Sequence, residues 1–544
     1  MRSTDDPGRG LILERLVWST LAMLGLPSIF LLLMSNFGGQ PANVRLYTTC
    51  LAAAAALATV ATLALVMPRG RRFLGRIHPR EPLVPLLVAG GSLLLASSLL
   101  WNQSFRAYCL GGGTGRITRQ VMANYRSPFY GVTREPAYLW AGVAAALAVA
   151  LMIYLAREWR MQSQRGGPSA GWVWVVVFFQ LAFTAVIALS EDGTRLFSNF
   201  ASYAGFASDA RHFDGALDVL RRYVDTMPQL SGFGRHYPPG IALLIGLGTS
   251  LGVPTLAKLA LMTIPALTIL PLLGLARELG LDERAAQMSA VLFATSASVL
   301  AFSSLSPTTV LLMPATTAVW MLIRGLSRDP LWAGAWLGLS VAVLTLLSFA
   351  AYLIALPLGC ILLAAWIGGR ITLLRVGILL GTSLSVFFAG YALLQLSTGY
   401  DLYACLQEAF RLWWVLYENP WEYLLRCSGS LLAYAWAIGF PMSVLAAAAL
   451  RGVSTGNGAP ELLRLFTRAV MIGLLLGGFS GRIYLEGERI LLVFTPLIAI
   501  PAGWELARWH RRENDWTAIR VVGAALACAC AYGLFVRQHF WTPL

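Results

Sequence analysis

Six carboxylates lie between Ser190 and Gly240, in a chain of which only 12% of the residues are charged. They are Glu191, Asp192, Asp209, Asp214, Asp218 and Asp225. A carboxylate at the edge of a low-dielectric site can act as a general base, because burial raises its pKa. Asp209 and Asp192 are catalytic candidates, since they lie nearest to a membrane surface or a helix start, and Glu191 beside Asp192 is the third. The alternative is that these acids only balance the arginines of a solvated loop.

The same segment ends with Arg235, His236 and Tyr237, directly before Pro238 and Pro239. Two prolines fix the backbone and stop a helix, so the direction of the histidine side chain is set. A histidine in this place could bind a phosphate or transfer a proton near neutral pH. We therefore assign the three residues to substrate binding, with an ordinary loop histidine as the alternative.

A second charged group stands where a late apolar run begins and consists of Arg482, Glu488 and Arg489. A cation at the mouth of a membrane helix is costly unless it is paired or meets an anion. These three residues are therefore further candidates for binding an anionic substrate group. A structural Glu488–Arg489 pair without a ligand is the alternative.

Membrane helices must position these residues. Of the 544 residues, 57% are hydrophobic, and the repeated apolar runs of about 18–22 residues match the thickness of a bilayer core. The runs are continuous rather than alternating, which excludes a β-barrel. The sequence therefore predicts an all-α, polytopic membrane protein with about fifteen transmembrane helices.

The cations orient these spans. The net charge of +15 comes mostly from arginines in short loops, a pattern typical of membrane topology rather than of nucleic-acid binding. Five arginines between positions 69 and 80 mark the cytoplasmic side. Counting spans from there places the 190–240 segment and the tryptophan-rich 397–429 loop outside the cytoplasm. The arginine-rich 102–137 loop also falls outside, where surface charge and a lipid-phosphate partner both stay open.

Three regions follow from this pattern. Residues 1–170 form an N-terminal four-helix membrane extension, and residues 171–506 form a membrane core with both outer loops. Residues 507–544 hold a basic loop and the last span. Within the core, the 241–252 run is too short to cross a bilayer comfortably and is predicted to lie along the interface.

Several of these motifs together resemble the GT-C glycosyltransferases. The acidic loop is followed by His-Tyr-Pro-Pro-Gly and then by a span that ends with Leu275-Ala276-Arg277-Glu278-Leu279-Gly280. The later Gly487-Glu488-Arg489-Ile490, leading to Pro496, is similar to a motif in some bacterial members, the mannosyl- and aminoarabinose-transferase-like group. The resemblance covers residues 171–506.

The resemblance implies an integral membrane enzyme of the bacterial inner membrane with its active site on the extracytoplasmic face. Such an enzyme takes a hexosyl or pentosyl group from a polyprenyl-phosphate carrier held among membrane lipids and passes it to an extracytoplasmic acceptor. Asp209 then matches the carboxylate that activates the acceptor hydroxyl, and His236 matches the histidine ahead of the prolines. Arg489 would hold the carrier phosphate.

Two departures from the family pattern concern a metal. No Asp-Glu pair begins the Asp209 helix, although Glu191 and Asp192 could replace it, and the turn at Ser306 offers hydroxyls where many relatives place an acid. The seven cysteines show no metal-ligand spacing. The sequence therefore predicts no metal site, and dependence on a divalent metal stays open.

Two other functions are compatible with a polytopic chain. A transporter or lipid flippase would carry charges within its spans and show repeated halves. The sequence shows few such charges and no clear repeat. In a non-catalytic assembly partner, the outer loops would bind a second protein.

Overall fold

A computed structural model of the chain describes residues 138–165, 167–192, 201–231, 234–253, 255–303, 306–369, 371–412, 437–454, 458–480 and 487–512, with isolated positions between 427 and 435 and between 518 and 529. The described residues from 138 to 508 belong to one compact unit. Several predictions lie outside the described residues, namely the first three spans, the 102–137 loop, the 413–426 part of the second outer loop, Arg482 and most of the last span.

Every regular element among the described residues is helical, as the sequence predicts. Numbered from the first described helix, the helices are α1 (Tyr138–Arg165), α2 (Trp172–Asp192), α3 (Ala201–Ala210), α4 (Ala216–Thr226), α5 (Gly240–Ser250), α6 (Thr255–Leu267), α7 (Ile269–Glu278), α8 (Glu283–Ala294), α9 (Ala297–Phe302), α10 (Leu312–Ser327), α11 (Pro330–Leu347), α12 (Tyr352–Ile367), α13 (Leu373–Thr398), α14 (Leu402–Leu412), α15 (Phe440–Ser454), α16 (Glu461–Gly478), α17 (Gly487–Ile490) and α18 (Thr495–Arg512). Short 3-10 turns at Met227–Gln229, Gly234–His236, Pro307–Leu311, Phe349–Ala351 and Leu491–Phe494 connect some of them.

Eight helical stretches among the described residues are long and apolar enough to cross a membrane. They are Gly142–Gln162, Trp172–Leu189, Thr255–Glu278, Pro307–Ser327, Pro330–Leu347, Phe349–Ile367, Leu373–Thr398 and Leu491–Arg511. Each coincides with a span that the apolar runs predict, and together they make the chain a multi-pass membrane protein. The predicted total of about fifteen also counts shorter helices and spans outside the described residues, so that number stays a prediction.

The apolar run at 285–303 forms two helices rather than one span. α8 ends before Thr295, and α9 begins after Ser296, whose backbone is extended with a ψ of 127°. The Ser296 hydroxyl donates a hydrogen bond to the carbonyl oxygen of Ile438 at 3.1 Å. This bond to a distant part of the chain stabilises the break, and hydropathy alone does not reveal it.

Helices α11 and α13 pack closely because glycines remove side chains from their interface. A β-carbon on Gly334 would lie 2.6 Å from the Leu379 carbonyl oxygen, and one on Gly338 would lie 3.0 Å from the Ser383 carbonyl carbon. Glycines four residues apart are typical of closely packed membrane helices. The pair therefore fixes α13 against the rest of the bundle.

Helices α3, α4 and α5 lie between α2 and α6 in the chain and pack together through α5, and we call these three helices the platform. α5 is short, as predicted; its Ile241, Ala242 and Ile245 are buried, whereas Leu247 is exposed. A position along the membrane interface stays a prediction. A β-carbon on Gly240 would lie 2.9 Å from the α-carbon of Leu347, so the start of α5 packs on the end of α11.

The second predicted outer loop packs on this platform through α14. Cys405 and Ala409 of α14 are buried in a hydrophobic cluster with Tyr223 and Met227. The Cys405 thiol lies 3.7 Å from the Met227 sulfur. The described parts of the two predicted outer loops therefore form one structure.

Candidate functional site

Asp209, in the last turn of α3, holds a single turn of the chain through its carboxylate. Oδ1 accepts a hydrogen bond from the Ser231 amide at 2.7 Å. Oδ2 accepts one from the Ser231 hydroxyl at 2.6 Å and one from the Gly234 amide at 3.1 Å. Asp209 is only 2% exposed, and such bonds offset the cost of burying its charge. We call Ser231 together with residues 234–239 the His236 turn.

Gly234 makes this arrangement possible. A β-carbon at position 234 would lie 3.0 Å from the Asp209 carboxyl carbon, closer still to Oδ2, and 2.9 Å from the Leu230 β-carbon. Glycine therefore lets the carboxylate reach the backbone of the turn. Ser231 and Gly234 were not among the predicted site residues, although a glycine close to the predicted histidine was a usable signal.

The Tyr223 side chain holds the His236 turn through the carbonyl oxygens of the turn. The hydroxyl of Tyr223, on α4, lies 3.2 Å from the Gly234 carbonyl oxygen and 3.1 Å from that of Tyr237. The ring of Tyr223 is buried and stacks on Phe213 with the ring centroids 5.9 Å apart. No pattern in the sequence marks Tyr223 as part of the site, because its role depends on a tertiary contact.

Arg235 and His236 are presented by this turn. The Arg235 side chain is exposed, and its Nε donates a hydrogen bond to the Leu230 carbonyl oxygen at 2.6 Å. His236 is partly buried; burial first, and then the charge of Arg235, lower its pKa. The imidazole is therefore neutral near neutral pH, and a neutral imidazole can take up a proton.

Tyr237 points into the platform. Its ring meets the Phe206 ring edge to face, with centroids 5.3 Å apart. It also packs beside the cluster that holds Phe206, Met262 and Val310. This contact links the His236 turn to the turn at residues 306–311, which we call the Ser306 turn.

The Ser306 turn lies in the same cluster as Tyr237 through Val310, and it packs against the Leu491–Phe494 turn, which follows Arg489 in the chain. Its buried hydroxyls bond within the turn, Ser306 Oγ to Thr308 Oγ1 at 2.8 Å and Thr309 Oγ1 to the Ser306 carbonyl oxygen at 3.0 Å. The turn packs against α6, α9 and the Leu491–Phe494 turn. Arg489 belongs to α17, which packs against α9 and the same Leu491–Phe494 turn.

The structure thus brings Asp209, Arg235, His236 and Tyr237 together in one place, and Arg489 lies on α17. Glu191 and Asp192 form the last turn of α2, which packs against α6. Their side chains, that of Glu488 and the whole of Arg482 lie outside the described part of the chain. The predicted roles of these residues stay predictions.

The described residues contain no group of three or more His, Cys, Asp or Glu side chains that could hold a metal ion. Asp209 is the buried carboxylate of the site, and its two oxygens already accept hydrogen bonds from the turn. The described residues therefore offer no ligand set to which a divalent metal could be assigned.

No protein-family model and no curated protein matches the chain. Similar solved structures include the archaeal oligosaccharyltransferase AglB from Archaeoglobus fulgidus in complex with an inhibitory peptide and a dolichol-phosphate, with a TM-score of 0.42 and 13% identity over 68% of this chain and 56% of that chain. The apo form of the Archaeoglobus fulgidus oligosaccharyltransferase has a TM-score of 0.42 and 14% identity, covering 69% of this chain and 57% of that one. The chain spans a little over half the length of these proteins.

Proposed function

We propose that the chain is an integral membrane glycosyltransferase of the GT-C type. It transfers a sugar from a polyprenyl-phosphate carrier to an acceptor hydroxyl on the extracytoplasmic side of the membrane. The observation that carries the proposal is the His236 turn, which presents a cation and a neutral imidazole at one end of a bundle of apolar helices. The buried carboxylate of Asp209 holds the backbone of this turn.

A lipid-linked donor suits this arrangement physically. The prenyl chain stays among the spans, while its phosphate and sugar reach the membrane surface beside the turn. The membrane then holds the donor where the acceptor docks, so transfer is effectively intramolecular, and positioning of this kind supplies a large share of catalysis. Arg235 and Arg489, with the predicted Arg482 and Glu488, would bind the phosphate and orient the sugar.

The reaction needs a group that takes the proton of the acceptor hydroxyl. The oxygen of the acceptor attacks the anomeric carbon of the sugar, and the bond from that carbon to the phosphate oxygen breaks. Polyprenyl phosphate leaves with the electron pair. We assign the proton to His236, whose pKa is lowered by burial and by Arg235.

Asp209 has a different part in this proposal from the general-base role that the sequence predicts for it. Donors of the turn already occupy both of its oxygens, so an acceptor hydroxyl would have to displace one of them. The contacts of Asp209 support a role in holding the turn more directly than they support a general-base role. Glu191 and Asp192 remain the other catalytic candidates among the carboxylates.

The lipid-linked sugars of cells with and without the gene test the proposed function. We expect a polyprenyl-phosphate sugar to accumulate without the gene, and one envelope glycan to lose that sugar. Asp209→Asn should reproduce the loss, because the side-chain amide nitrogen is itself a donor and would face a backbone amide whose hydrogen bond the carboxylate now accepts. An unchanged lipid-linked pool would contradict the proposal. Transport of a labelled solute into vesicles without a glycosyl product would favour the transporter instead.

A further inference from the structure

The His236 turn has backbone amides and backbone carbonyl oxygens that need hydrogen-bond partners, and a different side chain bonds to each kind. Asp209 accepts from the amides of Ser231 and Gly234. The carbonyl oxygens of Gly234, Tyr237 and Pro238 lie 3.2, 3.1 and 3.5 Å from the Tyr223 hydroxyl. Buried backbone groups of this kind are costly when they are left without partners.

We propose that Tyr223 is a positioning residue of the candidate site, whose hydroxyl fixes the His236 turn so that the histidine is aimed at the substrate. The inference rests on the proposed function for its catalytic part. The geometry of the turn stands independently of that function. Asp209 binds the donors of the turn and Tyr223 binds its acceptors. The Gly234 carbonyl oxygen also accepts the Tyr237 amide at 3.4 Å, so removal of the Tyr223 hydroxyl takes this donor chiefly from the Tyr237 and Pro238 carbonyl oxygens and loosens that side of the turn.

A substitution can remove the hydroxyl of Tyr223 and keep its ring. The ring fills a buried cluster and stacks on Phe213, so a phenylalanine would keep this packing. Burial raises the pKa of Tyr223 well above its usual value, so the hydroxyl keeps its proton and donates. A single O–H can be shared between neighbouring carbonyl oxygens, as in other three-centre hydrogen bonds.

Tyr391 provides a matched control. Its hydroxyl donates a hydrogen bond to the Ala342 carbonyl oxygen at 3.0 Å, and its ring packs against the same cluster as that of Tyr223. The Ala342 carbonyl belongs to α11 rather than to the His236 turn. Tyr391→Phe therefore removes the same kind of bond without releasing the turn.

The first measurement is the reaction of individual histidines with diethyl pyrocarbonate in the purified protein, followed by peptide mass spectrometry. Exposed His212 in the same loop serves as the internal reference. We expect Tyr223→Phe to speed the modification of His236 by about threefold or more relative to His212, because the released turn opens more often. Tyr391→Phe should leave this ratio unchanged.

The second measurement is sugar transfer from the lipid extract of cells that lack the gene, at several dilutions. We expect the maximal rate of Tyr223→Phe to fall about tenfold, with the half-saturating dilution changed by less than about twofold, because misalignment affects the reacting geometry rather than binding. A purely structural role would instead lower the folded fraction and leave the rate per folded molecule unchanged.

Phe213→Leu separates packing from hydrogen bonding, because it removes the stacked ring and leaves the hydroxyl. It should lower the melting temperature without changing the relative modification of His236. Faster modification in Phe213→Leu, or wild-type modification and rate in Tyr223→Phe, would overturn the inference. If the wild type transfers no sugar while Tyr223→Phe still exposes His236, the proposed function fails and the bracing of the turn stands.

Discussion

The carboxylate of Asp209 occupies the space that a side chain at Gly234 would need, and it accepts the amide hydrogen of that glycine at 3.1 Å. The two residues are far apart in the sequence, yet this contact sets the shape of the turn that carries Arg235 and His236. Because no larger residue fits at position 234, the contact can be tested by adding a single carbon atom.

Gly234→Ala should displace Asp209 or the turn and abolish most of the proposed transfer activity. Overpacking of this kind typically costs about 1–3 kcal/mol. Gly359→Ala is the control, since a β-carbon on Gly359 meets nothing within 4 Å. Melting temperature in detergent and sugar transfer are measured on both. Equal melting temperatures and equal transfer rates in the two variants would mean that the close contact at Gly234 is not needed for stability or for transfer.

Ser231→Ala removes the hydroxyl donor to Oδ2 of Asp209 and leaves both amide donors in place. Loss of one such hydrogen bond should cost about 1 kcal/mol and lower transfer modestly. Ser231→Thr, which keeps a hydroxyl, should retain more activity. If Asp209 is the general base, the lone pair that Ser231→Ala frees on Oδ2, beside the remaining Gly234 bond, would instead maintain or raise the rate, and the positioning role would then be contradicted.

Arg235 should influence the pH dependence of transfer through His236. Its charge contributes to lowering the pKa of His236, after burial. A lowered pKa keeps the imidazole neutral to lower pH, so transfer falls only when the pH drops below that value. Arg235→Gln should raise the pKa and move the acid limb of the rate profile upward, by less than about one pH unit because the charge is exposed and screened.

Arg235→Lys, which keeps the charge, is the control for this shift. The two normalised rate profiles are compared between pH 5 and 8, the range in which histidine changes its charge near its ordinary pKa. An acid limb at the same pH in both variants would show that the charge at position 235 does not act on the group that takes the proton.

The close packing of α11 and α13 gives a test of the fold that does not depend on the function. Gly338→Ala should push a β-carbon into the Ser383 backbone and destabilise the protein by about 1–3 kcal/mol. Gly381→Ala, on α13, is the matched control because its β-carbon would meet nothing within 4 Å. The melting temperatures of the two variants in detergent are compared. A Gly338→Ala protein as stable as Gly381→Ala would contradict the described packing.

Much of the fold follows from local sequence signals. The apolar runs predict the positions of the eight described spans, because continuous hydrophobicity over the bilayer thickness depends on few tertiary details. The division between α8 and α9 was not predictable in this way. Thr295 and Ser296 are small polar residues of the kind that a membrane helix tolerates, so they do not mark a break. The break depends on the distant Ile438 carbonyl oxygen.

The site was also predictable only in part, because local signals mark some of its residues while tertiary contacts position the others. The double proline marks the turn after His236, and Asp209 stands out as a carboxylate near apolar helices. The contacts of Asp209 and Tyr223 with this turn depend on how α3 and α4 pack against it, which no spacing in the sequence indicates. Tyr237 was predicted to bind substrate, and its edge-to-face contact with Phe206 is likewise tertiary.

The rate of sugar transfer by purified His236→Ala, set beside His212→Ala, tests the central claim most directly. His212 is an exposed histidine of the same loop and serves as the matched control. With the lipid extract of cells that lack the gene as the donor source, we predict that His236→Ala loses at least about 100-fold in rate, as expected for loss of a proton-transfer group. His212→Ala should transfer at the wild-type rate. Equal rates in the two folded variants would contradict the account.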